Sequence, residues 1–538
     1  MSTTDIHFTI LALAPVGSSA SSRRSYSFDL YGLDDVIASV KPTIEVEVPK
    51  NLVPAGVVSF TIASIKDFKP DRLALTAPFL RKLIEARSFV DDATSQGTSL
   101  EKMIDTLRKD WGDLSLALLD AGMPETASPT PEGTAVDDLL SMVVQSPEAI
   151  RSASGADATS TIKQQIDDRL SAILSIVYNN ADYRKCETTW RGVELLLKQG
   201  PVKVSQGLEV NLVPVTVDTI KQTLAELSTE LAANPPNLVL VDLPLTATVE
   251  HLDIFEQLAS FGETLLAPTI AWVEAGFLHI SDWSELNRLP YLKHYFEETA
   301  FAKWRKFQQE PAADWLAVTC NRFIGRLNYG PGNPPNKVPL FNEENALTLS
   351  PVWAIGALIA QSMNQFGWPS RFTDISSVHL DGLPLPTAGN PLATEMSIGE
   401  DRLVQFIEVG LIPLVAPQGK DSLFIPQETS AASGSISIQL LMSRVFSFFF
   451  WCEKNLSGVP SSDNPAQLIR DAIALKWQKT GHPLPDDFEI TADPFLEDGS
   501  LPLHIRFTTP SKLIRKPQMF EFDFRFSPSM QTQPQEDQ

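Results

Sequence analysis

A pattern of buried strands near the middle of the chain constrains the fold more than any other feature. Residues 238–243 read LVLVDL, a nearly continuous apolar run of the kind found in strands buried on both faces. Leu252, Phe255 and Leu258 follow at helical spacing, and residues 264–272 read as a second buried strand. This strand–helix–strand order predicts a parallel sheet flanked by helices, and therefore an α/β (α+β) fold.

The N-terminal part of the chain reads as a smaller α+β unit that ends near Ala121. Residues 6–14, 43–48 and 57–63 are rich in β-branched and apolar residues and are bounded by prolines and glycines, which predicts three strands. Apolar residues at helical spacing then predict two helices before residue 108. A unit of this size is marginal alone, so we expect it to bury an apolar face against the rest of the chain.

Proline and small residues separate this unit from the larger remainder. Residues 122–137 read GMPETASPTPEGTAVD, in which the prolines disfavour both a helix and strand pairing. A short amphipathic stretch and a second gap rich in Ser, Ala and Gly lead to residue 160. The sequence therefore predicts a small domain, a linker with a short amphipathic helix and a large domain, at 1–121, 122–160 and 161–538.

Two strands joined by a basic turn, SKLIRK, are predicted at the C-terminal end. Residues 503–508 form the first, and residues 519–526 form the second with alternating aromatic and charged side chains. Alternation in a strand places one kind of side chain on each face. The aromatic face consists of Phe520, Phe522, Phe524 and Phe526.

Charge and cysteine content narrow the possible functions. The 43 basic and 66 acidic residues give a net charge of −23, which disfavours nucleic acid and anionic membranes because both bind basic surfaces. The 3 cysteines are widely spaced, imply no disulfide framework and favour a reducing compartment. No signal peptide is evident, and the longest apolar stretches are much shorter than the roughly 20 residues of a spanning helix, so we expect a soluble protein.

No pattern of residues predicts catalysis, a metal site or a cofactor. The 7 histidines are scattered, and the nearest approach to a metal cluster is His294 with Glu297 and Glu298, which we interpret as a solvated helix face. The glycine-containing stretches at 329–336 and 419–421 lack the features of a phosphate-binding loop. We therefore expect neither enzyme activity nor a bound cofactor.

Two segments of the chain resemble two different subunits of one machine. Residues 28–87, from FDLYGLDDVIASVKPTIEVEVPKN to the helix ending RKLIEAR, resemble the small (TssB/VipA-like) sheath subunit of bacterial type VI secretion systems. Residues 186–197, CETTWRGVELLL, resemble the E-x-x-W-R-G-L signature of the large (TssC/VipB-like) sheath subunit. Further large-subunit motifs follow in the family's order at 295–307 (YFEETAFAKWRKF), 316–330 (LAVTCNRFIGRLNYG) and 380–386 (LDGLPLP).

The resemblance implies that one chain fuses the small and large subunits, as two domains with mixed sheets flanked by helices. It implies a structural subunit of a contractile sheath that polymerises helically around an inner tube in the cytoplasm. Its implied partners are further copies of itself, the inner-tube protein and baseplate components, with an AAA+ disassembly ATPase as a further candidate. The alternative is a non-polymerising relative that acts as a sheath cap, a baseplate adaptor or an assembly regulator of the same machine.

The resemblance also implies that terminal strands pair with neighbouring protomers by β-augmentation. The candidates are Phe520, Phe522, Phe524 and Phe526 in the last strand and Ile6, Phe8 and Ile10 in the first. The last strand could instead complete its own sheet, and both readings stay open at this stage. In the family, the small subunit carries an additional strand before the one that corresponds to residues 6–13. This sequence starts almost at that point, so we expect the additional strand to be missing, which puts the usual linkage between rows of the sheath in question.

A second group of candidate residues lies in the linker. In the family, a short helix at this place is bound by the disassembly ATPase, and an internal docking role fits the position equally well. The corresponding residues are Val136, Leu139, Leu140, Val143 and Val144.

The family triplet Trp190-Arg191-Gly192 invites a binding role, but we favour a structural one. Trp190 fits the apolar stripe of a helix, and Arg191 is placed to pair with Glu187 four residues earlier. The aromatic run at residues 446–451 (FSFFFW) covers more than one face of a helix, which also favours the core.

Overall fold

The structure is a computed structural model that describes most of the chain. The described residues are 6–17, 25–114, 155–387, 389, 391–456, 459 and 464–527. They divide into two compact units. The sheet unit comprises Met1–Val36, Thr188–Arg326 and Leu347–Gln538, and the hairpin unit comprises Ile37–Glu187 and Leu327–Ala346. Each unit therefore contains residues from both sides of the predicted linker.

Helices and strands are mixed along the chain, as the sequence predicts. The strands are β1 (Phe8–Ala14), β2 (Tyr26–Phe28), β3 (Thr43–Glu47), β4 (Val57–Thr61), β5 (Leu208–Pro214), β6 (Leu238–Leu245), β7 (Thr269–Val273), β8 (Leu316–Cys320), β9 (Phe323–Arg326), β10 (Leu347–Leu349), β11 (Leu411–Pro413), β12 (Glu489–Ala492), β13 (Leu501–Thr508) and β14 (Met519–Phe526). The α-helices are α1 (Leu33–Val40), α2 (Pro70–Thr76), α3 (Pro78–Ser95), α4 (Leu100–Trp111), α5 (Gly155–Asn179), α6 (Ala181–Gln199), α7 (Ile220–Glu230), α8 (Val249–Leu265), α9 (Leu292–Tyr295), α10 (Ala302–Phe307), α11 (Pro351–Phe366), α12 (Glu400–Glu408), α13 (Ile436–Asn455) and α14 (Pro465–Gln478).

A seven-stranded sheet forms the centre of the sheet unit, in the order β11-β8-β7-β6-β1-β5-β2. Neighbouring strands are parallel except for β2, which runs antiparallel to β5. β1 lies between β5 and β6, with Phe8 opposite Leu208 and Ile10 opposite Leu238. A strand of the N-terminal segment is thus an interior strand, which confirms that this segment buries an apolar face against the rest of the chain.

The predicted strand–helix–strand unit is confirmed in β6, α8 and β7. β6 and β7 are parallel neighbours, and all residues of β7 are buried. Helix α8 begins after Thr248, whose side-chain oxygen accepts a hydrogen bond from the main-chain nitrogen of His251 at 3.3 Å. Phe255 and Leu258 are fully buried on the helix face that packs into the core.

A separate three-stranded antiparallel sheet, β12-β13-β14, closes the C-terminal part of the sheet unit. Alternate residues of β13, among them Leu503 and Ile505, face a core that includes α13 and α14. Helix α13 has the length and composition of a membrane span, but most of it is buried in this core. Phe448 and Phe449 are buried there, which confirms the core interpretation of the aromatic run.

The hairpin unit is built on the β3–β4 hairpin and helices α2 to α5. Alternate residues of both strands are buried, which gives the hairpin one apolar face. Tyr178 and Tyr183 both donate a hydrogen bond to the main-chain oxygen of Phe68, at 2.8 and 3.3 Å. An ion pair of 2.6 Å between Arg87 on α3 and Asp167 on α5 joins the two segments on either side of the predicted linker.

Candidate assembly surface

The outer edge of β14 is the most prominent feature of the terminal sheet. β14 pairs with β13 over its full length, from Met519 opposite Thr508 to Phe526 opposite Leu501. It is the last strand in the sheet order, and no described strand pairs with its other edge. An eight-residue edge of this kind presents unpaired N–H and C=O groups that can template another strand.

The hydrogen-bond pattern identifies which residues of β14 point outward. The main-chain nitrogen of Asp493 donates to the oxygen of Pro502 at 3.0 Å, on the β12 side of β13. In an antiparallel ladder, the main-chain N–H and C=O groups of successive residues point alternately to one side of the strand and to the other. The main-chain groups of Leu501, Leu503 and the following odd-numbered residues of β13 therefore point toward β14. Their partners in β14 are the four phenylalanines. The N–H and C=O groups of Met519, Glu521, Asp523 and Arg525 therefore point to the open edge.

The aromatic face of β14 packs against the chain's own helix α13. The ring of Phe522 lies 5.1 Å from that of Phe446, and the ring of Phe524 lies 5.0 Å from that of Phe449. Phe526 is fully buried. The phenylalanines therefore complete the chain's own core, whereas the main-chain edge beside them is open.

The charged face of β14 is tied to the two neighbouring strands. The imidazole Nδ1 of His504 lies 2.6 Å from a carboxylate oxygen of Asp523, and its Nε2 lies 3.2 Å from Asp493. The hydrogen bond to Asp523 and, to a smaller extent, the one to Asp493 raise the pKa of His504. Arg525 forms an ion pair with Asp498 just before β13. These contacts fix the register of the strand whose edge is open.

The open edge ends at Ser527. The main-chain nitrogen of Ser527 donates to a carboxylate oxygen of Glu453, on α13, at 2.7 Å. Burial raises the pKa of Glu453, and the hydrogen bond from Ser527 opposes that rise. Because this N–H is already bonded, the stretch available for a further strand is residues 519–525.

The other candidate strand, β1, is placed differently. Phe8 and Ile10 are fully buried, and Ile6 is half-buried beside the C-terminal core. Both edges of β1 are occupied by strands of the same chain. In this arrangement β1 has no edge to offer to a neighbouring protomer, and of the two candidate strands β14 is the one at a sheet edge.

A buried arginine, which the sequence analysis did not single out, holds the start of β1. Arg444 on α13 donates to the main-chain oxygens of Ile6 and His7 at 3.2 and 3.3 Å, and its guanidinium lies 5.6 Å from the ring centre of Phe448. Burial lowers the pKa of Arg444 to about 10. A single arginine within the apolar sequence of α13 is the signal that could have identified it.

Two residues of the family triplet, Trp190 and Gly192, are packed in the core. Trp190 is fully buried, as interpreted from the sequence. A Cβ atom on Gly192 would lie 2.2 Å from Cδ1 of Trp353, so only glycine fits against this indole. The indole nitrogen of Trp353 donates to a carboxylate oxygen of Asp242 at 3.0 Å. Burial raises the pKa of Asp242, and hydrogen bonds to its carboxylate, including the one from Trp353, oppose the rise.

The linker candidates and the cysteines provide no further site in the described part of the chain. Val136, Leu139, Leu140, Val143 and Val144 lie outside the described residues. Burial raises the pKa of the thiols of Cys186 and Cys452 to about 12, so neither is a reactive thiolate near neutral pH. Within the described part of the chain, no three His, Cys, Asp or Glu side chains come together as metal ligands.

Sequence comparisons identify two protein families in this chain. The sequence model of the tail sheath N-terminal domain (EvpB, VipB) matches residues 160–432, about half of the chain. The model of the type VI secretion system VipA family matches residues 17–113.

One curated relative and one solved structure provide further comparisons. The type VI secretion system sheath protein TssC1 of Pseudomonas aeruginosa is 22% identical over 289 residues, which cover 48% of this chain and 58% of that protein. The chain thus spans little more than half the length of this relative. A chain of the anti-feeding prophage baseplate aligns with 11% identity and a TM-score of 0.35, over 65% of this chain and 81% of that one. That structural similarity is too low to support an argument.

Proposed function

We propose, on the premise that the chain belongs to the tail sheath family of type VI secretion systems and carries its small and large subunits fused, that it polymerises helically as a contractile sheath subunit around an inner tube. The family is one of structural proteins, not of enzymes. Polymerisation requires a surface that binds a different surface of the next copy, because such contacts do not close on themselves. The open edge of β14 is the single observation that carries the proposal.

The physical case for β14 depends on its main chain. Residues 519–525 present outward N–H and C=O groups, and the packed phenylalanines hold them in an extended conformation. A preformed edge lowers the conformational entropy that is lost when another strand pairs with it. Strand addition here would give each copy a defined register relative to its neighbour.

The further partners follow from the same proposal. An inner-tube protein would occupy the lumen, and baseplate components would bind the end of the polymer. An AAA+ ATPase that recycles contracted sheaths is a further candidate, through the linker residues named above. The site of action would be the cytoplasm, in keeping with an acidic, cysteine-poor chain.

Electron microscopy of the purified full chain, with and without the inner-tube protein, tests the proposal directly. Long hollow cylinders are the expected result. Discrete particles under both conditions would contradict polymerisation and would support the alternative role of a cap, a baseplate adaptor or an assembly regulator.

A matched pair of substitutions at Glu521 tests the strand edge. Glu521→Pro removes an outward N–H group, and proline is tolerated on an edge strand where that group faces solvent. We expect Glu521→Pro to abolish polymers, measured by sedimentation and electron microscopy, while the melting temperature stays near that of the wild type.

The control is Glu521→Ala, which removes the same carboxylate but keeps the N–H group. We expect this variant to polymerise like the wild type. Polymers of normal length and yield from Glu521→Pro would show that the β14 edge is not the junction between copies.

A further inference from the structure

A basic cleft lies beside the loop that joins β13 to β14. It has a volume of about 400 Å³ and is formed between the short helix Pro369–Arg371, with the residues that follow it, and the loop. Its charged side chains are Arg371, Asp374, Lys512 and Arg515. Three cationic groups therefore face one carboxylate, in a chain whose net charge is −23.

The loop is held in place by its own core contacts. Leu513 is fully buried, and its main-chain oxygen accepts a hydrogen bond from the hydroxyl of Ser370 at 2.7 Å. At the base of the loop, the main-chain nitrogen of Thr509 donates to the oxygen of Gln518 at 2.9 Å. The cationic side chains of the cleft are thus carried on a fixed backbone, which reduces the entropy lost on binding.

The three cationic side chains differ in whether a carboxylate pairs with them. Arg371 forms an ion pair with Asp374 and stacks over the ring of Phe366, 3.9 Å from its centre. Arg515 donates to the main-chain oxygen of Thr373 at 2.9 Å and forms no ion pair with a carboxylate of the described residues. Lys512 is exposed and forms no ion pair with any described residue. Within the part of the chain that the structure describes, the cleft therefore has two positive charges without a carboxylate partner.

We propose that this cleft binds the carboxylates of an acidic segment supplied by a second copy of the chain. The inference rests on the proposed self-assembly and deepens it, because β14 begins directly after the loop. A copy that pairs along the β14 edge would bring its own surface to the cleft. Each copy carries 66 acidic residues, so carboxylates are the anions that assembly delivers there. At physiological salt, charges more than about 8 Å away are largely screened. The electrostatic potential in the cleft is therefore set by its own cationic side chains and not by the net negative charge of the chain.

The first test uses the full-length protein and does not depend on polymerisation. Binding of fluorescein-labelled octaglutamate is measured by fluorescence anisotropy at about 0.15 M salt, near the physiological ionic strength. We expect the wild type to bind and Lys512→Glu to bind roughly tenfold more weakly, since reversing one charge at an uncompensated site costs about that much. Lys512→Arg keeps the charge and should bind like the wild type.

Lys516→Glu is the matched control, because Lys516 lies on the same loop and is exposed but does not line the cleft. It reverses the same charge and should change the affinity less than twofold, roughly the scatter expected for a rim charge. Equal losses of octaglutamate affinity in Lys512→Glu and Lys516→Glu would overturn the proposal. They would indicate a general electrostatic attraction to the loop and not binding in the cleft. No octaglutamate binding by the wild type, or binding of inorganic phosphate in its place, would also overturn it.

The second test separates this inference from the proposed function. The concentration at which polymers first form is measured for the wild type, Lys512→Glu and Lys516→Glu. We expect only Lys512→Glu to require a higher concentration. Polymerisation of Lys512→Glu at the wild-type concentration would overturn the cleft proposal and leave the sheath function intact. A wild type that never polymerises would contradict the sheath function, and the octaglutamate experiment would then decide the carboxylate site alone.

Discussion

At the scale of single residues, the family triplet shows what a local pattern can and cannot indicate. The burial of Trp190 follows from its place in the apolar stripe of α6. The requirement for glycine at position 192 does not, because it depends on Trp353, which lies far along the chain on α11. Trp353 is itself fixed by its hydrogen bond to the buried carboxylate of Asp242. Three elements therefore meet at a site that the sequence marks only by one glycine.

Replacing Gly192 with alanine should destabilise the protein. The added methyl group would overlap the indole of Trp353, and overpacking in a well-packed core typically costs about 1–3 kcal/mol. Unfolding in urea should therefore show a lower midpoint for Gly192→Ala. Gly332→Ala is the control, because a Cβ at Gly332 meets no heavy atom within 4 Å. Equal midpoints for Gly192→Ala and the wild type would contradict the packing account.

At the scale of elements, β14 shows which features of a strand the sequence predicts and which it does not. The alternation of aromatic and charged residues correctly predicts the strand and its two faces. It does not reveal that the phenylalanines pack on α13, because that contact depends on a helix far upstream. The direction of the main-chain groups is also hidden, since the pairing register with β13 sets it. The two readings left open by the sequence therefore apply to different parts of one strand: its side chains complete the core, and its edge is available.

The stability of the terminal sheet should depend on pH because of the charge of His504. Asp523 and Asp493 raise the pKa of His504 in the folded state. The stabilisation is then fully present below the unfolded pKa, about 6.5, and is lost as the pH rises through the higher folded pKa. We expect the difference in melting temperature between the wild type and His504→Gln to be largest near pH 6 and to shrink toward pH 9. A difference that does not vary with pH would rule out this charge contact.

At the scale of the whole molecule, the main surprise is the position of β1. The sequence correctly predicts β1 as a strand. It also shows that the N-terminal segment and the larger remainder of the chain resemble two separate subunits. It does not predict that β1 lies between β5 and β6, because parallel pairing between distant segments leaves no local pattern. The division into a small domain at 1–121, a linker at 122–160 and a large domain at 161–538 stays a prediction. Both compact units combine residues from the first and last of these segments.

This interleaving predicts that the covalent join sets the ratio of the two segments but is not needed to hold them together. A protease site inserted at Thr130, within the predicted linker, would allow the join to be cut in the purified full chain. We expect the two fragments to co-elute in size-exclusion chromatography and to separate only in denaturant, because β1 is paired on both sides and Phe8 and Ile10 are fully buried. The chain without the inserted site, treated with the same protease, controls for cleavage elsewhere. Separation of the fragments under native conditions would mean that the pairing of β1 with β5 and β6 is too weak to act without the linker, and that the fusion itself is required for the fold.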